Sequence, residues 1–323
     1  MPKSPHCPRD SLTLRSRVGR ITRRQCLLAL AAVVGGCHGQ GDTMGRLEKV
    51  WGRRGVSDGR FQKPRAMTID DRDHIYVVDM TARIQVFDAN GEFLHGWQTP
   101  EKQAGKPTGL TATRGGRILV ADTHYYRVLI YSPEGQLLQT IGGTRGEAPG
   151  EFGLVRDAVE DSQGNCYVSE SGEYDRIQKF TADGKFLLQW GEPGSQPGQL
   201  TLAQSLVVDP EDRIWVADSC NHRIQIFDTE GRLLGLWGGQ GSQPGQLYYP
   251  YDLVLSPDGL VYVAEFGNHR VQRFTPDGQS RGCWGTYGRQ EGQLTDPWAL
   301  VLDSRGRLHV LDTKNHRVQK VRV

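Results

Sequence analysis

Six acidic residues, each followed four to six positions later by an arginine, are the first candidates for chemistry in this chain: Asp79–Arg83, Asp122–Arg127, Glu170–Arg176, Asp218–Arg223, Glu265–Arg270 and Asp312–Arg317. A carboxylate so placed can hold a guanidinium through charge-assisted hydrogen bonds and can also accept from the N–H groups of a turn. Six equivalent copies point to architecture, because a catalytic site needs one asymmetric constellation. Three histidines, His222, His269 and His316, recur beside the last three arginines. Metal–nitrogen bonds are about 2.0–2.1 Å long, so imidazoles on equivalent loops of separate repeats cannot converge on one ion away from a shared axis. Both sets are read as structural, and no metal or cofactor is expected.

The segments that carry these residues repeat. VVDMTARIQVF (77–87), VADTHYYRVLIY (120–131), VSESGEYDRIQKF (168–180), VADSCNHRIQIF (216–227), VAEFGNHRVQRF (263–274) and VLDTKNHRVQKV (310–321) stack on one another, and their arginines are spaced by 44, 49, 47, 47 and 47 residues. A period in this range signals a solenoid or a propeller. Each unit reads as four short strands, rich in β-branched and aromatic residues and bounded by Gly, Pro and Asp turns. Four strands per unit at this period make one propeller blade. The fold class is therefore all-β, a six-bladed β-propeller.

Fourth-strand segments occur five times, at 91–97, 135–143, 184–191, 231–238 and 278–285, and the last unit ends at Val323 without one. The missing copy is GRLEKVWG at 45–52. The N-terminal strand, about 46–51, is expected to complete the last blade, since an unclosed ring would leave a hydrophobic strand edge exposed. From Gly45 to Val323 the chain holds 279 residues, or 46.5 per blade for six blades.

A ring of first strands defines an axis, and the residues that open those strands break the sixfold pattern. They align as Arg65, Thr108, Arg156, Gln204, Tyr251 and Trp298, with Asp157 and Asp252 in the layer beneath. Concave sites with a few convergent polar groups are the default place for a ligand, so these eight residues are the candidate channel mouth. Connecting loops deviate most in blades 1 to 3, where Gln103-Ala104-Gly105-Lys106 replaces a Gly-x-x-Pro-Gly-Gln-Leu pattern and Tyr125-Tyr126 replaces Asn-His. Binding residues concentrate where loops depart from the scaffold.

The first 44 residues read as an address. Residues 1–36 hold seven of the chain's 39 bases and one of its 37 acids, which leaves 32 bases against 36 acids in the remainder. A basic start, the apolar run Cys26–Val34 and small residues after it make a signal peptide. Arg23-Arg24 before that run resembles a twin-arginine export signal. Val34-Gly35-Gly36-Cys37 resembles a bacterial lipobox, which implies lipidation of Cys37 and a tether over 37–44. The expected location is exported, on the periplasmic side and lipid-anchored, or else secreted. Of six cysteines, Cys166, Cys220 and Cys283 lie in the repeats; no CxxC or CxxH pair occurs, and all three are read as structural, with no disulfide framework.

Asn221-His222-Arg223, Asn268-His269-Arg270 and Asn315-His316-Arg317, each behind an acid and before Ile/Val-Gln, resemble the NHL repeat family of six-bladed propellers. Blades 1 to 3 depart from it, with Thr81-Ala82-Arg83, Tyr125-Tyr126-Arg127 and Tyr174-Asp175-Arg176. The resemblance covers 45–323 and is specific for fold but weak for function. It implies two readings. One is a non-catalytic scaffold of the cell envelope that binds a protein, peptide or glycan, touches the membrane through its lipid anchor only, and is a monomer. The other is a propeller lyase or hydrolase, similar to a peptidyl-hydroxyglycine lyase or a lactonase, with a metal near the channel. The lyase resemblance implies His after Pro at alternate first strands, whereas those places read Pro64-Arg65, Pro107-Thr108, Pro250-Tyr251 and Pro297-Trp298. Nucleic-acid binding, known for animal NHL propellers, needs a basic face that this net-acidic remainder does not supply.

Overall fold

The computed structural model describes residues 44–323. The signal segment, the paired arginines and Cys37 lie outside the described residues. Six four-stranded antiparallel sheets stand around one axis. Blade 1 is built from Pro64–Ile69, Ile75–Asp79, Arg83–Phe87 and Phe93–Gln98, and blades 2 to 5 repeat that order from first strands Gly109–Ala112, Leu154–Glu160, Ala203–Val208 and Pro250–Leu255. Blade 6 takes Pro297–Leu302, Arg307–Asp312 and Arg317–Arg322 from the C-terminal end and Arg46–Trp51 from the N-terminal end. The closing pair is antiparallel, with Arg46 opposite Arg322, Val50 opposite Gln319 and Trp51 opposite Val318. The first strands lie against one another in sequence, and the sixth lies against the first.

Hydrophobic packing runs between blades. Trp51 is 6% exposed and sits with Phe61, Val77, Phe87, Leu311 and Val318 in one cluster that spans the closure. Gly91, at φ +80°, turns directly over this indole, and a Cβ there would fall 2.3 Å from the ring. Phe61, Phe152, Leu200, Leu247 and Leu294 plug five of the six connections between blades and are fully buried. The connection from blade 1 to blade 2, residues 99–107, carries no such plug.

The polar repeat residues bolt these connections to the blades. In blade 5 the Glu265 carboxylate accepts from Tyr248 N, Asn268 Nδ2, Arg270 Nε and Gln272 Nε2, at 2.5–3.0 Å. The Arg270 guanidinium donates in turn to the carbonyls of Ser242, Gln243 and Gln246. All six acid–arginine pairs form, at 2.6–3.1 Å. The three histidines latch successive blades: Nδ1 of His222, His269 and His316 accepts from Tyr249 N, Asp296 N and Lys63 N, the residues that precede the next first strand. Asp175 does the same for Leu202 N in blade 3. Burial holds the pKa of each of these imidazoles below its ordinary value, which keeps Nδ1 available as an acceptor.

One expectation needs correction. Cys166 is a buried free thiol, but Cys220 and Cys283 are disulfide-bonded. Spacing alone gave no sign of this, because it does not show which cysteines come together.

Candidate functional site

The first strands of blades 1, 3, 4, 5 and 6 each carry a register shift at their outer end, at Pro64/Ala66, Val155/Asp157, Ala203/Ser205, Pro250/Asp252 and Pro297/Leu300. The residues skipped include Arg65, Arg156, Gln204, Tyr251 and Trp298. A bulge leaves one residue unpaired and re-aims its side chain, which explains why these side chains gather at the axis. Together with Thr108, Thr123, His124, Leu154 and Leu202 they line a vestibule of about 110 Å³.

The vestibule has two unlike walls. On the blade 5 and 6 side, Tyr251 stacks on Phe266 with ring centroids 4.3 Å apart, and Trp298 stands edge-on to Tyr251 at 5.0 Å. On the blade 1 to 3 side stand Arg65, Arg156 and His124. Arg65 lies 5.8 Å over the Trp298 ring, and Arg156 donates from Nε to Ser171 Oγ at 2.5 Å. Burial lowers the pKa of both guanidinium groups, Arg156 to about 10, with Arg65 adding to the effect on Arg156. Burial raises Tyr251 to about 12, so its hydroxyl stays protonated. Burial, then Arg65, Arg156 and Lys106, keeps His124 below the ordinary imidazole value and so neutral at pH 7.

Below the vestibule the channel pinches. Asp157 and Asp252, the layer beneath the mouth, line this constriction with Arg65, Thr108, Gln204, Tyr251 and Trp298, and they also bolt neighbouring blades. Asp157 accepts from Leu206 N of the next blade at 3.0 Å and from Ala158 N at 2.9 Å. Asp252 accepts from Leu300 N at 2.7 Å, from Leu253 N at 2.9 Å and from Ser205 Oγ at 2.6 Å. All four carboxylate oxygens are therefore engaged. Gly109 borders the same place, where a Cβ would meet Arg156 O at 2.4 Å and Asp157 Oδ1 at 2.7 Å. Beyond the constriction a larger cavity, about 500 Å³, opens on the opposite face, with walls that include Met67, Leu110, Leu206, Leu253 and Leu300.

Burial raises Asp157 and Asp252 to about 7, and for Asp252 the neighbouring Asp157 charge adds to it. An unfolded aspartate titrates near 3.9. Between these values the folded chain binds more protons, so the stability this pair contributes is full below about pH 4 and is lost as pH rises through about 7. In thermal melts, Asp252→Asn should flatten the fall of stability between about pH 4 and pH 7 by up to about 1.4 kcal/mol per pH unit. An unchanged slope would show that Asp252 stays ionised throughout.

His124 and Phe266 were not among the sequence candidates. They follow the second-strand acids Asp122 and Glu265 by two and one residues, and aligning those turns as the first strands were aligned would have found them.

Comparison with known proteins follows this geometry. The NHL repeat family model matches residues 200–227, 247–274 and 294–321, which fall in blades 4, 5 and 6. The chain is a six-bladed β-propeller that carries three NHL repeats, in blades 4 to 6. Among curated relatives, rat peptidylglycine alpha-amidating monooxygenase is 36% identical over 128 residues, covering 36% of this chain and 13% of that protein. Mouse NHL repeat-containing protein 3 is 27% identical over 157 residues, 45% of each chain. The propeller thus spans less than half the length of these relatives. Among solved structures, a streptogramin B lyase has a TM-score of 0.60 at 17% identity, covering 84% of this chain and 96% of that one. Virginiamycin B lyase from Staphylococcus aureus gives 0.57 at 13% identity, covering 81% and 95%. At such identities the likeness shows the fold alone.

Proposed function

We propose that this NHL propeller is a non-catalytic binding scaffold of the bacterial cell envelope, which takes a protein, peptide or glycan partner through its vestibule and the loop face around it. One observation carries the reading. The repeated acids, arginines, histidines and glutamines are consumed in holding blades together, whereas the asymmetric group at the axis faces open space. The N-terminal Arg23-Arg24 and Val34-Gly35-Gly36-Cys37 support export and lipid anchoring. Arg156→Gln combined with Tyr251→Leu should abolish recovery of a partner from envelope extracts while the unfolding midpoint holds. Trp298 is better left in place, because it also packs on the core cluster at the closure. Recovery of the same partner by the double variant would overturn the reading.

The resemblance to a peptidyl-hydroxyglycine lyase drawn from the sequence leaves a second reading, a propeller lyase or hydrolase with a metal near the channel. The residues at the axis do not fit a metal. The first-strand openings carry no histidine, the oxygens of Asp157 and Asp252 are engaged, and among the described residues no group of three or more His, Cys, Asp or Glu could hold an ion. Stoichiometric zinc or calcium in the purified protein would restore the lyase reading.

A further inference from the structure

We infer that the vestibule is an anion seat, in which Arg65 and Arg156 hold a carboxylate carried on a flat apolar group that rests against Tyr251 and Trp298. The inference depends on the vestibule being the binding site, as proposed above, and adds the chemical class of what binds.

The six arginines of the repeat motif each have a carboxylate partner. Arg65 and Arg156 do not: among the described residues no acid lies within ion-pair distance of either. Asp175 acts on Arg156 only from further away, and its Oδ1 is occupied by Leu202 N. Arg65 and Arg156 line the same small vestibule beside a neutral His124, so two guanidinium charges share one space. The rest of the chain beyond residue 36 carries more acids than bases, so this convergence is local. Like charges held together without a counter-ion cost free energy, and an anion offsets that cost.

A separate observation points the same way. His124 and Trp298 both line this vestibule, and Trp298 Nε1 is buried without a hydrogen-bond partner. Buried polar atoms are rarely left so, and a bound carboxylate is an acceptor that this indole lacks.

Size and shape select among anions. A volume of about 110 Å³ suits a head group, since drug-sized ligands fill about 300–1,000 Å³. The guanidinium fork matches a planar carboxylate. The opposite wall is formed by Tyr251 and Trp298, 5.0 Å apart, with Phe266 stacked on Tyr251, a surface for a flat apolar group.

Isothermal titration of the full chain with benzoate, acetate, benzyl alcohol and inorganic phosphate tests this. Benzoate should bind at least about tenfold more tightly than the other three. Arg65→Gln and Arg156→Gln should each weaken it about tenfold or more, with an unfolding midpoint equal to or above that of the parent because repulsion is relieved. Equal binding of benzoate and benzyl alcohol, tighter binding of phosphate, or undiminished benzoate binding by both variants would each overturn the inference. If benzoate fails while the Arg156→Gln, Tyr251→Leu change still abolishes partner recovery, the anion assignment falls alone. If both fail, the vestibule falls with it.

Discussion

A chain that begins at Gly52 should not fold cooperatively. Removing Arg46–Trp51 deletes the outer strand of blade 6, whose partners run from Arg322 to Val318, and uncovers a strand edge able to pair with other chains. It also removes Trp51 from its contacts with Phe87 at 4.9 Å and Phe61 at 5.9 Å. The point substitution Trp51→Ala isolates the packing part, and truncation of a buried aromatic costs about 3–5 kcal/mol. Against a typical domain stability of about 5–15 kcal/mol, the deletion should leave an aggregating species with no sharp melt, and Trp51→Ala should lower the midpoint by many degrees. Circular dichroism melts of both variants check this. A sharp, near-parental melt of the deletion would mean that closure by this strand does not stabilise the ring.

Glu265→Ala should be the most damaging single change in the polar framework. The carboxylate is fully buried and accepts from four groups at once. Its loss leaves the Arg270 guanidinium, 7% exposed, without its counter-charge. Breaking one side of a buried pair costs about 3–5 kcal/mol. Glu265→Asp should recover much of this, because Asp218 performs the same task in blade 4 through Thr201 N, Asn221 Nδ2, Arg223 Nε and Gln225 Nε2. Denaturant midpoints of the two variants give the measurement, and an Ala variant as stable as the Asp variant would show that the pair contributes little.

The fold was largely legible because strand-period segments at a 47-residue interval have few ways to bury their faces. Even the closing strand could be located, since GRLEKVWG matches fourth-strand copies found elsewhere. The site was legible only in part. Aligning the first strands found Arg65, Thr108, Arg156, Gln204, Tyr251 and Trp298, and all six line the vestibule. The bulges that aim five of them were not visible, because a register shift is a property of two strands together. That Asp157 and Asp252 also bolt neighbouring blades was not visible, because their partners are backbone N–H groups of the following blade, which no side-chain pattern announces. Blade 2 departs most. Its connection lacks the plug, Leu129 stands where other blades carry glutamine, and Asp122 Oδ1 is buried without the N–H donor that its equivalents receive.

The division of labour between repeat and axis can be tested by one crossed comparison. His222→Ala and the Arg156→Gln, Tyr251→Leu variant are each scored for unfolding midpoint and for recovery of an envelope partner. The account predicts that His222→Ala lowers the midpoint and keeps the partner, while the axial variant keeps the midpoint and loses the partner. The reverse assignment, with the partner lost on removal of the blade latch and retained without the axial side chains, would contradict it.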